Sequence, residues 1–453
     1  MKIIITLIIM SGVLLSAETN SKVLDYIKIG LKNNLELQGD KETINLYEAR
    51  KSQAVSLFLP RIEINSRFTR AGGGRSFVFP LGDMMNPLYE IAGLPQRFNN
   101  ENISFIRPQE QDSKIELIQP IFNAGIYYNN DAVSNQLDGA KFEYGTKELA
   151  IADKIIDQYF AFSKSLRLLE IRKYTLKLIE EFQNISNKLY EVGKAPKTDV
   201  LRAEVQVATA KQDIMIAENL VILAKHALNQ TLNRPSGTEI ITDNITLEEM
   251  SDPNFLKQYS TNQNAENLSA LALKTRPELY QLESGIKAIK SYQNANLSDY
   301  LPSVTLVADY GIQGERYQFD EQSKYWMISG VLKWNLFSGF ETSAKNQEIK
   351  AQINSLEKKS ASVKELINLE VRSNYINYNN IYEQFGLSIK SYESALENYD
   401  LNNKRYQEGL NPFISLLDAE TSLKLTMENV YITYFDLMTA KWKLDKSTGN
   451  LLN

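Results

Sequence analysis

The sequence predicts a mainly α-helical chain with a membrane β-barrel part, built as two copies of one repeat. Three observations lead to that class. One set of residues recurs in order in both halves, proline-free stretches run far longer than a globular domain uses, and four short runs alternate apolar with polar residues. Composition narrows the field further. With 55 acidic against 50 basic residues, both signs interspersed, the 453-residue chain has no electrostatic footprint for a polyphosphate backbone, so no nucleic acid is expected as a partner. The lack of cysteine excludes disulfide scaffolds, thiolate metal sites, cysteine nucleophiles and lipid attachment to a cysteine.

Taken in chain order, Met1 and Lys2 precede Ile3 to Leu15, which closes at Ser16-Ala17 before Glu18-Thr19-Asn20. An apolar run of about 13 residues in that setting reads as a secretory signal peptide over residues 1–17. A spanning helix needs roughly 20 apolar residues, and nothing later in the chain approaches that, so a helical inner-membrane protein is ruled out. An exported chain can still enter a membrane as a barrel.

The first repeat is read as residues 18–232. Its Leu31-Lys32, Glu36-Leu37 and Leu59-Pro60 recur at one constant offset as Leu273-Lys274, Glu278-Leu279 and Leu301-Pro302. Further on, Tyr190, Gly193, Pro196, Leu201, Ala203 and Glu204 recur at a smaller offset as Tyr406, Gly409, Pro412, Leu417, Ala419 and Glu420. The first copy therefore holds extra residues, about 27 of them, between Pro60 and Phe122. They are placed at about 71–113, where Gly72-Gly73-Gly74, Pro80, Pro87, Pro95 and Pro108 suggest a long exposed external loop. Residues 233–264, rich in Asn, Asp, Ser and Thr with Pro235 and Pro253, read as an irregular crossing linker. The second repeat is read as 265–447, followed by a tail at 448–453.

Within each repeat the strands come first. Ile62, Ile64 and Phe68 oppose Arg61, Glu63, Asn65 and Arg67, and Lys114 to Gln119 alternates through Ile115 and Leu117. Val304, Leu306, Ala308 and Tyr310 oppose Ser303, Thr305 and Asp309. Trp326, Ile328, Leu332 and Trp334 oppose Ser329, Lys333 and Asn335. Runs of about ten residues with one apolar face and aromatic ends suit a transmembrane barrel. Four strands cannot close, because the smallest such barrels have about eight and open edges in lipid leave backbone groups unpaired. The barrel would have to be shared between chains. A four-stranded soluble sheet beside the helices remains the alternative.

After the strands, Gly125 to Glu191 and Gly339 to Glu408 read as single helices; about 67 residues would extend about 100 Å. Beyond each tip a second helix carries a heptad seam. The first is Val200, Ala203, Val207, Ala210, Ile214, Ala217, Val221, Ala224 and Leu228. The second, in the same phase, is Leu416, Ala419, Leu423, Thr426, Val430, Thr433, Leu437, Ala440 and Leu444. Large and small residues alternate, so a neighbouring helix can approach closely. A plain helical bundle shares such seams, but needs neither these lengths nor the strands.

Chemistry finds no foothold. His226 is the only histidine, which excludes histidine-based triads and multi-histidine metal sites and reads as a solvent-facing helix position. Gly72-Gly73-Gly74 is followed by Arg75-Ser76 and lacks the lysine of a phosphate-binding loop. Acidic residues such as Glu420 and Asp436, with basic neighbours, read as solvated helix faces. Neither a catalytic residue nor a cofactor nor a metal is expected.

With its repeated tips Leu189-Tyr190-Glu191-Val192-Gly193 and Arg405-Tyr406-Gln407-Glu408-Gly409, this layout resembles the TolC-like outer-membrane efflux family. The same holds for Leu59-Pro60 and Leu301-Pro302, for Gln119-Pro120-Ile121-Phe122-Asn123-Ala124-Gly125, for Leu336-Phe337-Ser338-Gly339 and for Thr198-Asp199-Val200. The resemblance implies a homotrimer, with a twelve-stranded barrel in outer-membrane lipid continuing into a periplasmic barrel of coiled α-helices. It implies a passive exit duct for small molecules or proteins. The partners would be a periplasmic adaptor (membrane fusion) protein and an inner-membrane transporter of RND, ABC or MFS type.

The resemblance also implies a gate. The helix-pair tips are Gly193 and Pro196, and Gly409 and Pro412. Thr198 and Asp199 match the family's latch residues on the first tip, and Tyr406 matches the latch tyrosine on the second. Asn411 stands where the family's well-studied member has an arginine, which leaves the salt-bridge half of the latch open. Two aspartates that form acidic rings in that member correspond to Ser415 and Asp418, so one ring survives. Three Asp418 carboxylates around a narrow axis would attract cations; a helix-starting acid is the plainer alternative. The rival from another class is a trimeric coiled-coil surface or scaffold protein without channel activity.

Overall fold

The computed structural model describes residues 21–261, 263–408 and 410–451. The leader read at 1–17 lies outside the described residues, as do Gly409 and the final Leu452 and Asn453. The described chain falls into two compact units. One comprises the residues up to Leu46, Asp138–Gly285 and Ser355 onward, and the other Tyr47–Leu137 and Ile286–Asn354.

The described residues open with α1 (Ser21–Asn33) and α2 (Leu35–Ser56). Asn34 separates them, and its Oδ1 accepts the Glu36 and Leu37 N–H groups at 2.9 and 3.1 Å, capping α2 in the way asparagine does best. Gly30 faces the core so closely that a Cβ there would meet the end of the Ile155 side chain, which would have to shift to admit it. Then follow β1 (Arg61–Arg70), β2 (Ser76–Phe79), α3 (Leu81–Ile91), β3 (Glu101–Ser104) and β4 (Gln109–Phe122).

The segment expected to be an external loop at 71–113 is therefore structured, which corrects that reading. β2 and β3 form a two-stranded antiparallel sheet, and α3 lies between them in the chain. Asn86 ties the insertion together: its Nδ2 donates to the Phe98 carbonyl oxygen at 2.7 Å, and its Oδ1 accepts the Arg97 and Phe98 N–H groups at 3.2 and 3.1 Å. Pro80 and Pro87, counted as loop formers, sit at the start of α3 and inside it.

The long helix α4 runs Ala124–Glu191, 68 residues, and α5 runs Lys197–Thr231, 35 residues. The linker holds α6 (Leu247–Ser251) and α7 (Pro253–Lys257), so it is less irregular than expected. Thr246 and Glu249 form a reciprocal capping box at α6, and Asp252 caps α7 with Pro253 at its first position.

In the second repeat, α8 (Ala265–Thr275) and α9 (Pro277–Leu297) break at Arg276, the position equivalent to Asn34. Pro277 enforces the break by removing a helical donor. The repeat continues through β5 (Ser303–Gly314), β6 (Lys324–Lys333), α10 (Glu341–Gln407, 67 residues) and α11 (Phe413–Ser447, 35 residues). Of the segment read as a tail, Gly449 at φ 77° closes α11 and Leu451 is buried.

In the unit that carries the strands, four of them form one antiparallel sheet in the order β1-β4-β5-β6. Register puts Ile64, Ile115, Tyr310 and Trp326 side by side, with Ile62, Leu117, Ala308 and Ile328 in the next row on the same face. That face is uncovered; Ile64 is 79% and Trp326 73% exposed. The opposite face is polar and internally bonded. Lys114 Nζ reaches Asp309 Oδ2 at 2.8 Å and Glu116 Oε1 at 3.0 Å, and Asn65 Nδ2 donates to Glu116 Oε2 at 2.7 Å. β1 and β6 end the order, each with one edge unpaired among the described residues.

In the helical unit the core gathers Ile155, Ile156 and Tyr159 of α4, Leu228 of α5, Phe385 of α10, and Leu437 and Met438 of α11. Every seam position named for α5 and α11 is buried or half-buried. Among the described residues no helix is long and apolar enough to cross a membrane.

Candidate functional site

Both tips are built by the same local rules. At the first, the Gly193 N–H donates to the Tyr190 carbonyl at 2.9 Å and the Lys194 N–H to the Leu189 carbonyl at 2.7 Å, with Gly193 at φ 75°. That pair of bonds closes a helix through a left-handed residue, where a side chain would be strained. Pro196, at φ −76° and ψ 153°, then starts α5, its fixed φ suiting a helix entrance. At the second tip the Leu410 N–H reaches the Arg405 carbonyl at 2.9 Å, the longer of the same two bonds, and Pro412 starts α11 with φ −70° and ψ 152°. Gly409, the expected counterpart of Gly193, lies outside the described residues.

The expected latch residues are placed as follows. Tyr406 is buried at 3% exposure, its ring centroid 5.8 Å from that of Phe413. Its hydroxyl pairs with the Ser186 hydroxyl of α4 at 2.9 Å rather than with a carboxylate. Burial pushes the Tyr406 phenol up, the Ser186 bond opposes this, and the negative charge of Asp199 adds to the rise. Asp199 is thus near enough to be felt and is not bonded to the phenol. It sits in the first turn of α5, where the helix dipole favours an acid, and pairs loosely with Arg202 at 4.0 Å. Thr198 is exposed. Asn411 Nδ2 donates to Asn402 Oδ1 at 2.9 Å, folding the second tip back onto α10. The structure therefore gathers Tyr406, Ser186 and Asp199, and leaves Thr198 and Asn411 outside that cluster.

Ser186 escaped the sequence reading. Its signal was available: with Phe182 and Leu189 it completes a four-then-three spacing on the inner face of α4, a polar residue at a core position. The cluster around it is apolar, with Phe182, Tyr399, Phe413, Leu416 and Ala419.

On α11, Asp418 is exposed and makes no ion pair among the described residues, while Ser415 is half-buried. Glu420, expected on a solvated face, is 3% exposed, because basic neighbours in sequence do not fix which way a helix turns. Asp436 pairs with Lys164 at 2.9 Å and stays partly exposed, and His226 is exposed. An apolar groove runs between α4 and α5, floored by Ala217, Ala224 and Ala227 and flanked by Leu168, Leu220 and Leu223.

A family model described as outer membrane efflux protein matches residues 26–234 and 268–450. The chain is 20% identical over 417 residues to nodulation protein T of Rhizobium leguminosarum bv. trifolii, covering 89% of this chain and 80% of that protein. It is 21% identical over 304 residues to TtgC, a probable efflux pump outer membrane protein of Pseudomonas putida, and spans 61% of that protein's length against 67% of its own. It is 22% identical over 351 residues to AprF, an alkaline protease secretion protein of Pseudomonas aeruginosa, covering 75% of this chain and 69% of that one. In fold it resembles the open state of the MtrE outer membrane channel of Neisseria gonorrhoeae, with a TM-score of 0.74 and 16% identity over 95% of this chain and 90% of that one.

Proposed function

The chain belongs to the outer membrane efflux protein family, and on that premise we propose that it is the passive, gated exit duct of a tripartite efflux or type I secretion system. The observation that carries this reading is the four-stranded sheet, apolar and uncovered on one face, ionic on the other, with an edge at each end that is unpaired among the described residues. Such a sheet is incomplete in water and in lipid alike. Three copies joined edge to edge give twelve strands, enough to enclose a polar lumen. Lipid then meets the Ile64 and Trp326 face, and cargo meets the Lys114, Glu116 and Asp309 face.

The helices of three copies form the periplasmic tunnel, with the groove between α4 and α5 as a natural seat for a neighbouring helix. The tips close it, Tyr406 and its partners acting as the breakable part, and the Asp418 carboxylates ring the constriction. The chain itself performs no chemistry. A periplasmic adaptor and an inner-membrane transporter supply selection and energy, so the duct takes whatever cargo its pump delivers.

Electron microscopy of the detergent-purified protein, together with planar-bilayer recording, tests the reading. A threefold tube of about 100 Å or more with a detergent belt at one end, conducting ions, is the expected result. Compact monomers, or rods with neither belt nor current, would instead support the coiled-coil scaffold.

A further inference from the structure

The helical unit buries one carboxyl that the duct reading leaves without a task. Glu420 on α11 is 3% exposed, and its Oε1 has no hydrogen-bond partner among the described residues. It lines a small polar cavity together with Arg172 and Thr175 of α4, Gln206 and Asp213 of α5, and Lys424 of its own helix. Its equivalent in the first repeat, Glu204 on α5, is exposed. The same residue type thus recurs at the same point of the repeat, and only the second copy is taken out of water.

The charged groups facing Glu420 do not satisfy it. From α4, Arg172 gives Nε to Glu428 Oε1 of α11 at 3.2 Å and Nη1 to the Asp213 carbonyl at 3.1 Å, which leaves its fork turned elsewhere. From α5 comes Asp213, an acid of the same sign. From α11 comes Lys424, whose charge favours the ionised form, and from α10 comes Tyr399, pushed up to about 12 by burial first, with Tyr174 and then Glu420 adding to it.

Burial dominates at Glu420. Against the opposing pull of Lys424 and of a hydrogen bond from Thr421, it lifts the carboxyl from its usual 4.5 to about 7. An acid raised in this way holds its proton in the folded chain over a range where the unfolded chain has lost it. Its favourable contribution is whole below about 4.5 and disappears as pH rises through about 7.

We propose that Glu420 is a proton-operated catch on the second tip helix: protonated, it lets α11 stay packed on α4 and α5, and ionised, it draws water into the cavity and loosens that packing. The inference rests on the duct reading, in which these helices must realign for the tunnel to open. A gate so built opens more readily as pH rises through neutrality.

The test is the open fraction of the full-length protein in planar bilayers, scanned from about pH 5.5 to about 8.5 for the wild type, Glu420→Gln and Glu204→Gln. Each pH unit changes the ionised-to-neutral ratio tenfold, so the wild type should gain roughly three- to tenfold in open fraction across the scan. Glu420→Gln should stay flat at the low-pH level, and Glu204→Gln should follow the wild type. Thermal unfolding gives a second readout: the wild type loses stability as pH rises through about 7, and Glu420→Gln does not. A wild-type profile flat between about pH 6 and 8, or a Glu420→Gln profile that retains the rise, overturns the catch and leaves the duct standing. Absence of current at every pH overturns the duct, and the catch with it.

Discussion

At the scale of single residues, Tyr406 holds the two tips' helices together through one hydroxyl. Tyr406→Phe keeps the ring against Phe413 but leaves the buried Ser186 hydroxyl unpaired, a loss of about 1–2 kcal/mol. With Tyr406 in the proposed latch, the closed arrangement should weaken, seen as higher open-channel conductance and greater antibiotic leakage; unchanged values would take Tyr406 out of the latch. Asp418 makes a separate prediction. Its exposure on α11 lets it face a lumen, so Asp418→Ala should lower cation over anion preference, read from reversal potentials in a salt gradient. Unaltered selectivity would remove it from the constriction. Tyr406, Asp199 and Asp418 are expectations carried by family resemblance, which attaches to motifs along the chain. Ser186 and the inward turn of Glu420 could not be read so directly, because each depends on a partner helix far away in sequence.

Among elements, the strands were the most legible, since a period of two survives whatever the rest of the fold does. Alternation identified all four members of the sheet, and register then placed their apolar faces together. Ile64→Arg, in the middle of that face, should cost about 2–4 kcal/mol if the face meets lipid, and should deplete the assembled protein from the outer-membrane fraction. Glu63→Gln, on the polar face one residue earlier, should leave assembly intact. Equal depletion by both would show that the sheet does not sort lipid from water. The insertion was legible in position but not in form. Glycines and prolines counted as loop formers there, whereas α3 forms around Pro80 and Pro87 and is fastened by Asn86 to backbone more than ten residues away. The linker helices differ: Thr246 to Glu249 and Asp252-Pro253 are cap signals visible in the sequence itself, though set among asparagine and serine that also suit a loop.

For the molecule as a whole, duplication governs the design. α5 and α11 are equally long, and α4 and α10 differ by a single residue, so each chain supplies two nearly equivalent helix pairs. The copies depart from that equivalence at the insertion in the first, at Asp199 against Ser415, and at exposed Glu204 against buried Glu420. The sheet's bare edges carry one more consequence, and it concerns supply rather than transport. A solitary chain has no tolerable way to enter lipid, so membrane incorporation on the duct reading has to wait for a meeting of three. The yield of finished ducts should then fall more steeply than synthesis when expression drops, as for any obligate oligomer governed by mass action. On the duct reading, a modest cut in production would therefore reduce export disproportionately.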